Sequence, residues 1–141
     1  RYNLVDREIE GDYLQFAREE GLAICPWSPL GQGFLTGKYD REEGLTGESR
    51  ASESSRFESA YLTATNFDVH DVLDEVADEV DASPAQTALA WLMHRDGVTA
   101  PIVGARTVDQ LEENLGAAQI DLSEEQVDRL TEAKGGPYAK L

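Results

Sequence analysis

The sequence predicts an α/β fold built on a parallel sheet, and three observations carry that prediction. Two short apolar runs, Leu22–Cys25 and Ala100–Val103, each lead into a turn. The remaining periodic segments have helical spacing, and several open on a residue that can cap a helix. The order is helix, strand, long loop, two helices, strand, two helices, the alternation expected of parallel strands joined by helices. With only two convincing strands, such a sheet would leave strand edges exposed.

The first helix is expected within residues 9–20, where Ile9, Tyr13, Phe16 and Ala17 recur at helical spacing and Gly21 supplies a stop. Leu22–Cys25 reads as a buried strand. It delivers Trp27 to a loop rich in Gly and Pro, running from Ser28 to Tyr39. Residues 40–66 hold many Ser, Thr, Glu and Gly and read as a long loop, with a helical turn near Glu58–Leu62. Over 69–81, Val69, Val72, Leu73, Val76 and Val80 share one helical face. Ser83-Pro84-Ala85-Gln86 spells a capping box with Pro at the first helical position. Leu89, Trp91 and Leu92 point that helix at a core, and Gly97 stops it. Ala100–Val103 is the second strand. Thr107–Gln110 and Ser123–Gln126 repeat the box, opening helices to about Ala117 and Ala133, and the tail Gly135-Gly136-Pro137 is expected to be mobile.

Composition narrows the function classes. The 141 residues carry 28 acidic against 12 basic side chains, a net charge of −16, which argues against nucleic acid and anionic membrane as partners. The acids are dispersed, and Lys occurs only at 38, 134 and 140. That pattern fits a protein adapted to molar salt, as from a halophile, where self-repulsion is screened; an ordinary acidic protein is the alternative. The single cysteine, Cys25, allows no internal disulfide, and its apolar strand predicts packing rather than reactivity. No run is long enough to span a bilayer and no signal-like segment opens the chain, so a soluble, cytoplasmic protein is expected. His70 and His94 lack metal-ligand spacing and read as surface residues; no metal site is expected.

Three segments carry a family resemblance. Ala23-Ile24-Cys25-Pro26-Trp27-Ser28-Pro29-Leu30-Gly31-Gln32-Gly33-Phe34-Leu35-Thr36-Gly37-Lys38-Tyr39 resembles the seventh strand and following loop of aldo/keto reductases. Ile102-Val103-Gly104-Ala105-Arg106-Thr107-Val108-Asp109-Gln110-Leu111-Glu112-Glu113-Asn114 is similar to the segment those enzymes use for the adenosine end of NADP(H). Tyr2-Asn3-Leu4-Val5-Asp6-Arg7 resembles the segment after the sixth strand. The three occur in family order. The resemblance implies residues 1–141 of a (β/α)8 TIM barrel's C-terminal portion, an incomplete barrel, since a complete one takes about 250 residues. It would hold strands 7 and 8 with flanking helices, a cofactor-covering loop at 40–66 and a C-terminal helix at 123–133.

The resemblance also implies roles. Trp27 would stack on the nicotinamide ring; on spacing alone, a core Trp beneath a loop is the plainer reading. Ser28, Leu30, Gly31 and Gln32 would meet the pyrophosphate through backbone N–H groups, with Gly leaving room for close approach. Lys38 and Arg56 would set positive charge over the phosphates, Arg50 competing with Arg56 for that place. Gly104 and Arg106, at a helix N-terminus, would bind the 2′-phosphate, with Gln110 reaching the same phosphate or ribose and Glu113 and Asn114 the adenine. Gln110 as a mere capping residue and Glu113 as a solvated helix face stay open. The family's catalytic Tyr, Lys, Asp and His belong to the front half of the barrel, so no catalytic residue is assigned here, and Lys38-Tyr39 is not read as a substitute. The expected function is NADPH-dependent reduction of aldehydes or ketones in an intact enzyme, for which this part supplies the cofactor-binding half. A non-catalytic fragment or NADP-binding relic is the alternative. A separately encoded N-terminal half, or self-association through strand edges, could complete the sheet.

Overall fold

The structure is a computed structural model that describes residues 1–39, 41 and 55–135. The reading of residues 42–54 as loop and of Gly136 and Pro137 as mobile tail lies outside these residues. Among the described residues the helices are α1 (Asp12–Glu19), α2 (Ser55–Tyr61), α3 (Ala64–Glu79), α4 (Pro84–Met93), α5 (Val108–Gly116) and α6 (Glu124–Ala133). Tight 3-10 turns occupy Gly31–Thr36 and Ala117–Gln119.

α3, α4 and α6 pack together and hold the centre of the core. Their starts follow from local chemistry. Thr63 caps α3 through the Asn66 amide, and Ser83 and Ser123 each close a full capping box with Gln86 and Gln126. Leu73, Val76, Leu89, Trp91, Leu92 and Leu130 are fully buried between these helices. Arg129 of α6 reaches across to Glu75 (3.1 Å) and Glu79 of α3.

A buried polar cluster pins the N-terminal segment to this core. The Tyr2 hydroxyl donates to Glu10 (2.5 Å), Arg7 grips the same carboxylate through Nε and Nη2, and Arg95, just past the end of α4, donates to the Tyr2 oxygen (3.0 Å). Arg7 and Arg95 also lie over the Trp91 ring, at 5.0 and 5.3 Å from its centroid. The Trp91 indole N–H is satisfied by Thr131 of α6 (3.0 Å). Burial, reinforced by Glu10, pushes the Tyr2 hydroxyl's pKa well above the ordinary tyrosine value.

The two expected buried strands need correction. Among the described residues they reduce to two isolated parallel bridges, Ile24 with Val98 and Trp27 with Ile102. Thr99 N–H donates to Ile24 O and Ile102 N–H to Pro26 O, both at 2.8 Å. A regular parallel ladder continuing from the first bond would next need the amides of residues 26 and 101. Both are proline and have no N–H to give. The runs are also open to solvent: Leu22, Ala23, Cys25 and Ile102 are exposed, so Cys25 is not the packed residue its apolar neighbours suggested.

Three helical readings change as well. α1 buries Leu14 and Ala17, while Tyr13 and Phe16 face outward. α3 starts five residues before the expected 69, because Thr63 provides the cap, and its inward face widens to include Asn66, Phe67 and His70. His70 is therefore a core residue, 4 % exposed, and not a surface one: its ring stands edge-on to Phe34 (5.6 Å) and its Nδ1 pairs with Asp74 (3.0 Å). Val72 and Val80 end up half-buried at the margin of that face. Finally, α4 ends at Met93, and Gly97 takes its positive φ (89°) in the turn that leads to Val98.

Candidate cofactor site

Trp27 stands at the end of the first extended run with its indole 57 % exposed, bridged to Ile102 on the second. The Arg1 guanidinium lies 5.9 Å from the ring centroid, so the indole face already accepts a planar cation.

The chain then turns sharply. Ser28 takes a left-handed conformation (φ 56°), as do Gln32 (φ 56°) and Gly33 (φ 97°) inside the 3-10 segment. Non-glycine residues pay roughly 1–2 kcal/mol for that region, so the turn must be held by its neighbours. Asn3, itself buried, donates from Nδ2 to Ser28 O (2.9 Å). Ser28 Oγ accepts from the Gln32 amide (3.3 Å), Ser28 O from the Gly31 amide (3.1 Å), and Leu30 O from the Gly33 amide (2.9 Å). The amides of Gly31 and Gln32 are thus bonded within the turn, whereas their expected use was toward a phosphate.

Positive φ favours glycine twice here, at Gly31 (57°) and Gly33 (97°). A Cβ on Gly33 would lie 2.8 Å from Lys38 Nζ, because the lysine folds back over the turn. A Cβ on Gly31 would press at 3.2 Å on the Tyr61 ring. Lys38 Nζ also lies 5.3 Å from the Tyr39 ring. Beneath the turn Phe34 is surrounded by Tyr39, Tyr61, Phe67 and His70. Tyr39 is buried in that cluster. Arg56 occupies the second position of α2, which ends in Tyr61.

The second part of the site starts α5. Gly104 and Arg106 are exposed, and a Cβ on Gly104 would touch nothing. Thr107 Oγ1 caps the Gln110 amide (3.2 Å), but the reciprocal bond differs from the expected box: Gln110 Oε1 accepts from the Arg106 N–H (2.9 Å). The Gln110 oxygen is accordingly engaged in shaping the Arg106 turn. Glu113 is exposed and its carbonyl accepts from Gln86 of α4 (3.0 Å), while Asn114 is half-buried. α5 buries none of its side chains, and Val108, Leu111 and Leu115 are exposed on it.

Three residues of this region carry weight that the sequence did not assign. The Tyr61 hydroxyl donates to Asp6 Oδ2 (2.7 Å), which also accepts from Asn3 Nδ2 (3.0 Å), and Arg1 donates to Tyr61 (3.3 Å). Burial, then Asp6, pushes the Tyr61 pKa up to about 12. The Tyr2-Asn3 pair was a visible signal, but the turn that Asn3 holds through Ser28 lies 25 residues away and Tyr61 lies 55 residues from Asp6.

Several known proteins are similar to this chain over most of its length. The chain is 34 % identical over 132 residues to a probable aldo-keto reductase 1 of Glycine max, covering 94 % of this chain and 38 % of that protein. It is 33 % identical over 142 residues to an aryl-alcohol dehydrogenase (NADP(+)) of Phanerodontia chrysosporium, covering 97 % and 37 %. It is 32 % identical over 122 residues to the norsolorinic acid reductase stcV of Emericella nidulans, covering 86 % and 29 %. The chain thus spans about two fifths or less of the length of these relatives. The family model described as Aldo/keto reductase family matches residues 1–134, and the chain belongs to that family.

Proposed function

We propose that this chain is the cofactor-binding part of an NADP(H)-dependent carbonyl reductase, the C-terminal portion of a (β/α)8 barrel. The observation that carries the reading is the bridge between Trp27 and Ile102. It sets an exposed indole beside the run that leads, four residues later, to Arg106 at the start of α5. A flat apolar face at one end and a guanidinium at the other suit a ligand with a planar ring and a distant phosphate.

The residues present fit that group. Trp27 would take the nicotinamide face. Lys38, folded over Gly33, would supply the positive charge near the pyrophosphate, with Ser28, Leu30, Gly31 and Gln32 shaping the turn below it. The Gly31 and Gln32 amides are already bonded, which moves the burden of phosphate recognition toward Lys38, and Arg56 on α2 is the second candidate cation. Arg106 would hold the 2′-phosphate, Gln110 would fix the Arg106 turn, and Gly104, Glu113 and Asn114 would border the adenine end. Bound NADPH supplies a hydride for reducing an aldehyde or ketone. We assign no catalytic residue within this chain.

The exposed apolar side chains support the barrel part of the reading. Tyr13 and Phe16 of α1, Leu22 and Ile102 beside the bridges, and Val108, Leu111 and Leu115 of α5 are what the remaining strands and helices of a barrel would cover, on the same polypeptide or another.

The test is cofactor discrimination by fluorescence titration. A charge-assisted pair to the 2′-phosphate contributes about 1.5–3 kcal/mol, so Arg106→Ala is expected to weaken NADPH binding roughly 10- to 150-fold and leave NADH nearly unchanged. Equal losses for both cofactors would refute the assignment of Arg106.

A further inference from the structure

The turn after Trp27 is held in an unfavourable backbone conformation at Ser28 and Gln32, and its own hydrogen bonds are all short-range. What fixes it from outside is one carboxylate. Asp6 Oδ2 takes the Tyr61 hydroxyl (2.7 Å) and the Asn3 amide (3.0 Å), and Asn3 Nδ2 in turn reaches Ser28 O (2.9 Å). Asn3 Oδ1 closes the same loop by accepting from the Val5 and Asp6 amides (2.9 and 2.8 Å). Tyr61 carries the other half: its ring packs against Gly31, and its hydroxyl is held by Asp6. The Ser28 end and the Gly31 corner of the turn are therefore both tied to Asp6, one through Asn3 and one through Tyr61.

We propose that Asp6 and Tyr61 are positioning residues that clamp the Trp27–Gln32 turn, fixing its shape from two sides before any ligand arrives. The consequence for binding rests on the cofactor reading above, but the clamp itself does not. Asn3 and Tyr61 are each about 1 % exposed, so their bonds are formed away from competing water. The clamp also sets where α2 sits, because Tyr61 is its last residue.

The experiment compares amide hydrogen exchange by NMR in the wild-type chain, Tyr61→Phe and Asp6→Asn. Tyr61→Phe keeps the ring on Gly31 and removes only the hydroxyl. Exchange at Gly31, Gln32 and Gly33 is expected to rise about tenfold, the loss of one hydrogen bond to a carboxylate, while Leu89–Leu92 of α4 keep their protection. Unchanged exchange at the turn overturns the proposal, and so does an equal rise in α4, which would mean that Tyr61 serves global stability only. NADPH titration of the same proteins then separates the two claims. A wild-type chain that binds NADPH, with about tenfold weaker binding in Tyr61→Phe, supports clamp and site together. A wild-type chain that does not bind it removes the cofactor reading, and the exchange comparison still decides the clamp.

Discussion

Glu10 is a buried carboxylate held between two guanidinium groups and a tyrosine hydroxyl, and its energetics are asymmetric. Arg7 meets it with two nitrogens, and Arg95 lies 3.5 Å away. Replacing a whole buried ion cluster by apolar side chains is often harmless, but removing one partner leaves uncompensated charge and costs about 3–5 kcal/mol. Glu10→Gln keeps the size of the side chain and strands both arginines beside Trp91. Urea unfolding followed by circular dichroism should show a loss near 3 kcal/mol; a loss under about 1 kcal/mol would mean that the arginines find other partners. Little of this cluster was legible in the sequence, because Tyr2, Glu10, Arg95 and Thr131 meet only once the N-terminal segment lies across α4 and α6. His70 was misread for a related reason. Its neighbours in sequence are acidic, which suggests a solvated face, but Phe34, from a different part of the chain, covers the ring.

At the scale of elements, caps were the most legible feature, since all their partners lie within four residues. Ser83 and Ser123 close the boxes that their sequences spell. Ser83→Ala should cost about 1 kcal/mol, visible as a lower urea midpoint with an unchanged slope, because the orphan amide at Gln86 loses its acceptor. A midpoint equal to wild type would show that Pro84 alone suffices to start α4. Extended runs were less legible. Apolar spelling at Leu22–Cys25 and Ala100–Val103 located the paired region, although Trp27 and Val98 of the two bridges lie outside those runs. Burial depends on what covers them: Ile24 packs half-buried against the core, while Leu22, Ala23, Cys25 and Ile102 are left exposed. The clue to their short ladder was present in Pro26 and Pro101, which remove two consecutive donors. α5 shows the same division: its cap and length follow from local sequence, whereas its outward Val108, Leu111 and Leu115 depend on a covering surface. A nine-residue helix that buries nothing is marginal by itself in water.

Over the whole molecule, order of assembly follows from one feature. α3 and α4 follow one another in the chain and pack together, and Phe34 needs only its own loop and the helices after it. The pairing that brings Trp27 beside Ile102 is different: Ile24 N–H donates to Thr99 Oγ1 (3.2 Å) across a separation of 75 residues. Closing so long a loop carries an entropic cost that local helix contacts avoid, so this pairing should be absent from the folding transition state and appear after it. In stopped-flow measurements, Thr99→Val should leave the refolding rate nearly unchanged and raise the unfolding rate. A slowed refolding limb would place the pairing in the nucleus instead. A face that forms last also opens first. Any molecule that grips Trp27 and Arg106 together would therefore act as a brake on unfolding, lengthening the lifetime of the folded chain without hastening its formation.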